Sequence, residues 1–295
     1  MSFDRALSHP GGALRILTGD AGIASRLEER LGEHLTTSDG ATATLELAAG
    51  EARSVWNESL AGRVERGLLV PALAGVRGSF DLVGRTGRFE IDTEWAWFEL
   101  HLENVLRMVL VELAAAHGHH ICHAAAVAAP NGSAWLFLGP SGAGKTTITE
   151  LAADAGLEPI NDDLVYLSRG PLLEGCAFHG ATRIRRFAAG RRTVAAIFRL
   201  RQSEANQVTP IEGAAATREI AGALVTWRQR TRAEQLMVVD FAEAIRREAP
   251  VFELAFRRDP GVWRAVRDVL HGLHVGVGSG IEGASGALGV LARSS

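Results

Sequence analysis

The spacing of apolar positions changes period along the chain, and those changes divide it. Through the first ninety-odd residues, apolar and polar positions alternate in short runs, the period of half-buried strands. "ATLEL" at 43–47 and "LLVPAL" at 68–73 are candidate strands, and "SFDLVGRTGRFEID" at 79–92 predicts a hairpin around a Gly-Arg-Thr-Gly turn. From Glu94 to Ala116 the spacing is helical. Phe98, Leu102, Val105, Leu106, Val109 and Leu113 recur on one face, and His117-Gly118 marks the end.

"HICHAAAVAAPNGSAWLFLGP" at 120–140 predicts two strands joined by a turn at Pro130-Asn131-Gly132-Ser133. The second strand runs straight into "GPSGAGKTT", after which a helix from Lys145 to Ala155 is stopped by Gly156. "LEPIN" and "LVYLS" predict short strands on either side of Asp162-Asp163. A strand at 193–200, helices at 213–225 and 233–248 and a strand at 251–256 follow. Asp259-Pro260, a polar cap followed by proline, then predicts a last helix through His271. The expected division is a β-rich part at 1–93, an α/β domain at 94–271 and a loosely ordered glycine-rich tail at 272–295, without an internal repeat or a clear linker.

Composition narrows the class. An apolar fraction of 47 % and a charged fraction of 22 % suit a soluble globular chain. The net charge of −3 gives no cationic footprint for nucleic acid or for an anionic membrane. Cys122 and Cys176 make no disulfide framework, and a reducing cytoplasm is the expectation. The start has no apolar signal-peptide core, and no apolar run approaches the roughly 18 residues a membrane span needs.

Of the 31 Lys plus Arg, 30 are Arg, and the single Lys is Lys145. It stands in the pattern G-x-x-x-x-G-K-[ST], met by Gly139, Gly144, Lys145 and Thr146. Backbone N–H groups that wrap a polyphosphate need glycine at the points of closest approach. The helix that follows aims its positive dipole end at the phosphates. Gly139, Pro140, Ser141, Gly142, Ala143, Gly144, Lys145, Thr146 and Thr147 are therefore candidate nucleotide-binding residues, with Lys145 reaching the β- and γ-phosphoryl oxygens and Thr146 a candidate Mg²⁺ ligand. The bulkier fork of an arginine would not fit inside such a loop. ATP and Mg²⁺ are the expected cofactors.

Asp162 and Asp163 fall at the end of the strand after the loop helix, the end that faces a phosphate site in an α/β sheet. Adjacent residues on an extended chain point opposite ways, so one can face metal and the other an acceptor; a solvated Asp-Asp turn is the plainer alternative. "HGHHICH" at 117–123 holds four histidines and Cys122, but strand alternation scatters them over two faces and argues against zinc. From the residues alone, His123 reads as a satisfied core histidine.

"CHAAAVA", "NGSAWLFLGPSGAGKTT" and "GLEPINDDLVYL" together resemble the catalytic domain of HPr serine kinase/phosphorylase and its HPr-kinase-like relatives, over residues 95–270 and most specifically over 120–168. The resemblance implies a phosphoenolpyruvate-carboxykinase-like α/β fold, a mixed sheet carrying a P-loop. It also implies transfer of the γ-phosphoryl group of ATP to a serine hydroxyl of a protein or ribosomally made peptide. By the same resemblance Asp162 would be the catalytic base, Asp163 would assist Mg²⁺, Lys145 would act in transfer, His123 would line the acceptor side, and the chain would assemble as a homo-oligomer. An E-I-R-G segment of that family is missing, and "FHGATRIRRF" at 178–187 takes its place without a Glu. Reverse phosphorolysis is therefore not expected.

Residues 181–201 carry Arg183, Arg185, Arg186, Arg191, Arg192, Arg199 and Arg201 without an acidic residue. Most read as a solvated basic surface, with Arg185 and Arg186 the candidates to face phosphate. Two alternatives stay open. One is a P-loop ATPase or small-molecule kinase using Asp240 at the end of "LMVVD", although Met237, Phe241, Ala244 and Ile245 give that segment helical spacing. The other is a nucleotide-binding protein without catalysis.

Overall fold

A hairpin opens the chain: β1 (Phe3–His9) and β2 (Gly12–Thr18) pair antiparallel from Phe3↔Thr18 to His9↔Gly12. It belongs to a computed structural model that describes residues 2–51 and 62–278. Asp20 then caps α1 (Ala21–Leu31), its carboxylate accepting the Ile23 N–H at 2.8 Å. The chain continues through β3 (Leu35–Thr36), β4 (Ala43–Ala49), β5 (Gly62–Glu65), β6 (Leu68–Pro71), β7 (Val76–Asp81) and β8 (Thr86–Ile91). These strands form one mixed sheet in the order β3-β1-β2-β4-β8-β7-β6-β5, with β4 parallel to both its neighbours. The strands expected at 43–47 and 68–73 and the hairpin at 79–92 all lie in it.

α2 (Phe98–Ala115) starts four residues later than the spacing predicts. The Asp92 side chain accepts the Glu94 N–H at 3.0 Å and its carbonyl accepts the Trp95 N–H, so the chain makes a turn before the helix begins. Beyond α2 come β9 (His119–Ala128), β10 (Ala134–Leu138), α3 (Lys145–Asp154), β11 (Glu158–Asn161), β12 (Leu164–Ser168), β13 (Leu172–Gly175), β14 (Arg192–Gln202), β15 (Gln207–Ile211), α4 (Gly213–Ala223), α5 (Arg232–Glu248), β16 (Val251–Phe256) and α6 (Val262–Gly278). Their strands form a second mixed sheet. β10 lies between β9, antiparallel, and β14, parallel; β14 continues to β16 and β15, while β12 and β13 lead from the other side of β9.

Two helix ends differ from the sequence reading. α4 stops at Ala223, because Leu224 bridges to Cys122 and the Val225 N–H bonds the Ile121 carbonyl at 2.8 Å. α6 runs to Gly278, so the helix passes the expected boundary at 272, and the rest of the glycine-rich stretch, 279–295, lies outside the described residues.

β9 carries the packing logic by alternation. Ile121 faces α2; Ala125 and Val127 pack with Ile148 of α3 and Trp263 and Val266 of α6; Cys122, Ala124 and Ala126 pack with Phe241 and Ile245 of α5 on the opposite face. α2 buries Val105, Leu106, Val109 and Leu113 against Leu14, Ile16, Leu45, Phe80 and Phe89 of the first sheet, and the same apolar cluster includes Ile121, Leu164 and Tyr166 of the second. The β-rich part and the α/β part thus share one core across the expected boundary at residue 93. Among the described residues no helix is long and apolar enough to cross a membrane.

Candidate functional site

All five residues of β10 are buried, which fixes the point where the glycine-rich stretch leaves the sheet. Leu138 at its end lies opposite Ala124 of β9, one residue from His123. The loop then turns with Gly142 at φ +81° and Gly144 at φ +107°, both in the left-handed region. Gln202, the last residue of β14, donates its Nε2 hydrogen to the Gly142 carbonyl at 2.7 Å. α3 begins at Lys145 without a side-chain cap, so the N–H groups of its first turn and the positive end of its dipole open on the loop.

The two glycines separate strain from collision. A Cβ at Gly142 meets nothing within 4 Å, whereas one at Gly144 lies 2.7 Å from Cζ of Phe256. Gly142→Ala should cost about 1 kcal/mol for the left-handed backbone alone. Gly144→Ala should cost about 2–4 kcal/mol, because a collision adds to the same strain. Urea unfolding of both variants checks the difference; equal losses would contradict the packing described.

Lys145 is only 7 % exposed and donates from Nζ to the Gly139 and Pro140 carbonyls at 2.9 and 3.2 Å. Burial lowers its proton affinity, while the charges of Asp163 and Asp162 draw it back up. The ammonium therefore lies within the fields of both carboxylates.

The acidic pair fills a break in a strand ladder. β11 and β12 both pair with β9, Asn161 standing opposite Ala126 and Leu164 opposite His123, and Asp162-Asp163 lie in between. Asn161, fully buried, sets this break. Its Oδ1 accepts the Asp163 and Leu164 N–H groups at 2.8 and 2.9 Å, and its Nδ2 donates to the Cys176 and Phe178 carbonyls at 2.8 and 3.2 Å. The two carboxylates then part. Asp162, 2 % exposed, accepts the Gly180 N–H at 2.9 Å and the Thr146 hydroxyl at 3.3 Å. Asp163 meets His123 Nε2 at 3.3 Å and Arg107 Nη2 at 3.4 Å.

These surroundings push the two acids apart in proton affinity. Burial raises the pKa of Asp162, and the Gly180 and Thr146 hydrogen bonds only partly oppose it. Burial also acts upward on Asp163, but the His123 hydrogen bond and the charges of Arg107 and Lys145 outweigh it, and this carboxyl lies below the usual range. The site thus holds one carboxyl shifted above the usual range and one shifted below it.

Arg107 and Asn161 are site residues that the sequence reading does not single out. Arg107 lies on α2, its guanidinium 4.9 Å from the Phe178 ring centroid and shared between Glu103 at 3.1 Å and Asp163. Because Asp163 has a lowered pKa when folded, it contributes stability above the unfolded carboxylate range that is lost as pH falls through the folded pKa. Arg107→Ala removes its main cation, so the acid-side loss should begin at a higher pH, and stability at neutral pH should fall by about 2–3 kcal/mol. Urea denaturation across pH 3–7 (a range of roughly four units around carboxylate titration) tests this; an unchanged profile would contradict it.

The histidine run divides as strand alternation predicts. His120 packs on Phe241, ring centroids 4.3 Å apart, Cys122 is buried on the same face, and His123 turns to Asp163. "FHGATRIRRF" reaches the site through its backbone, the Gly180 N–H on Asp162, and is fastened to α3 by Arg183, which bonds Asp154 at 2.5 Å. Most of the arginine strip is committed elsewhere. Arg191 pairs with Glu174, Arg199 and Arg201 with Glu253, and Arg192 with the Gly132 carbonyl. Arg185 and Arg186 are exposed and make no ion pair among the described residues. Asp240 sits on α5 with its side chain 74 % exposed, paired with Arg169 at 2.5 Å at the opposite end of β9 from the loop. It is not the acid beside the glycine-rich stretch.

Compared with known proteins, the chain matches no family model and no curated sequence.

Proposed function

We propose that this chain is a Mg²⁺- and ATP-dependent kinase that transfers the γ-phosphoryl group to a serine hydroxyl of a protein or peptide. The observation that carries this reading is the meeting of the glycine-rich turn with the acidic pair. The Thr146 hydroxyl, one residue after Lys145, lies 3.3 Å from Asp162, and Asp163 lies within the field of Lys145. The loop amides, Lys145 and the uncapped start of α3 would receive the triphosphate, as in a P-loop. Thr146 and Asp163 would supply hard oxygens of the kind Mg²⁺ takes alongside phosphate oxygens. Bound there, the cation would neutralise charge on the transferring group.

Asp162 is the proton acceptor in this reading, since its raised pKa brings it closer to the range suited to a general base. Asp163 remains anionic between Arg107 and His123 and serves the cation, while His123, half-exposed, borders the space for the incoming hydroxyl. Arg185 and Arg186 are the cations left uncommitted for phosphate or an acidic acceptor. The reading also draws on the likeness to HPr-kinase-like proteins, from which this chain departs by lacking the E-I-R-G segment. Incubation with γ-labelled ATP, Mg²⁺ and a serine peptide library tests it, with label expected on serine and absent in Asp162→Asn.

A further inference from the structure

The end of β9 away from the loop opens on a cavity of about 610 Å³, a size typical of small-molecule sites. Two stretches that phosphoryl transfer leaves unused meet there: the histidine run at the start of β9 and the arginine-rich segment between α4 and α5. The β7–β8 turn closes one side with Arg85.

The balance of charge at this cavity is uneven. Arg228 is bound by Glu112 at 2.9 Å and Glu234 at 2.6 Å, and Arg169 by Asp240 at 2.5 Å, so the three lining carboxylates each hold a cation already. Two half-buried arginines have no carboxylate hydrogen bond or ion pair among the described residues. Arg230 donates only to the Leu224 and Val225 carbonyls, at 3.3 and 3.1 Å. Among the described residues the Arg85 guanidinium meets His117 Nε2 alone, at 3.4 Å, and does so from a left-handed φ of +55° that residues with a Cβ rarely adopt. Burial lowers the proton affinity of Arg230 and the nearby charge of Arg228 lowers it further, which the charges of Glu234 and Glu112 only partly offset. Burial and then the charge of Arg230 hold His120 down at about 4, and burial and then Arg191 lower His119. A half-enclosed cationic space of this kind is costly unless an anion enters it.

The geometry points to a second ligand site, in which Arg85 and Arg230 hold the phosphoryl or carboxylate group of a small organic anion while its apolar body lies against Val238 and Phe241. The neutral imidazoles of His119 and His120 add polar contacts without competing charge. This site stands apart from the glycine-rich loop and does not depend on the kinase reading.

The test uses the full chain and three probes, inorganic phosphate, phenyl phosphate and benzoate, each against chloride at matched ionic strength. Imidazole NMR signals of His119 and His120 should shift saturably with phenyl phosphate, benzoate or both, which assigns the head group as phosphoryl or carboxylate. Arg85→Gln and Arg230→Gln should each weaken binding by about tenfold, as loss of a charge-assisted hydrogen bond would. Lys145→Ala should leave it unchanged. The inference is overturned if no probe shifts either histidine in the unsubstituted chain, if binding survives both arginine substitutions, or if it disappears with Lys145→Ala. The unsubstituted chain decides the matter even where a variant folds poorly.

Discussion

Lys145→Ala should leave a folded protein whose hold on ATP is sharply weakened. Among the described residues Nζ bonds the Gly139 and Pro140 carbonyls, in surroundings whose burial works against its charge. A lysine whose folded pKa is lowered makes the folded state relatively more stable as pH rises, so its charge near neutrality is a burden on the fold. Removing it should therefore change the melting temperature little. The nucleotide loses far more: a single preorganised donor to developing phosphoryl charge accounts for roughly 10²–10³-fold in rate. ATP affinity should fall by about 10²-fold as well, since a charge-assisted contact in a half-buried loop is lost. Lys145→Arg is the sharper control. A chain with 30 arginines keeps lysine at one place, where only 7 % of the residue is exposed. The planar fork should cost about tenfold or more in affinity although the charge is retained. Calorimetric titration with Mg-ATP and thermal melts of the three proteins separate these effects, and an arginine variant that binds normally would contradict the fit inferred for the loop.

Asp162→Asn should lose transfer and gain stability. Burial raises the pKa of this carboxyl, so the folded state binds a proton more readily than the unfolded one. Stability is then full below the unfolded pKa and declines as pH rises through the folded pKa. Asparagine keeps an oxygen for the Gly180 N–H and removes the buried charge. The ligand-free variant should melt a few degrees higher at neutral pH, and the advantage should vanish in acid. Mg-ATP binding should stay within about threefold, while the transfer rate falls by about 10²–10⁴-fold, the range for a general base. A variant that transfers at the original rate would remove Asp162 from the chemistry. One that loses Mg-ATP binding would reassign it to the metal beside Thr146.

What the sequence makes legible is what depends on neighbours in the chain. The hairpin at 79–92 follows from its period and its turn, and the strand–loop–helix around Lys145 from a buried run, glycines and helical spacing. Strand alternation predicts that Asp162 and Asp163 part; their side chains do go to different partners, but from the bend that Asn161 sets between β11 and β12 and not from a strand. α1 was within reach, since Asp20 caps it and Ile23, Leu27 and Leu31 are spaced for one buried face. Arg107 was not, because its meaning comes from Asp163, 56 residues away, once α2 packs on the second sheet. Asn161 reads as one more polar residue beside two acids until the carbonyls of Cys176 and Phe178 return to bond it. The shared core of the two sheets likewise joins residues too far apart for any local pattern to pair them.

The most direct measurement is transfer itself: mass spectrometry of serine peptides incubated with Mg-ATP and the full chain. The account predicts a gain of roughly 80 Da on serine, one phosphoryl group. That gain should depend on Mg²⁺ and on both Lys145 and Asp162. Tight Mg-ATP binding with no such gain on any hydroxyl acceptor would contradict it and leave a nucleotide-binding protein in its place.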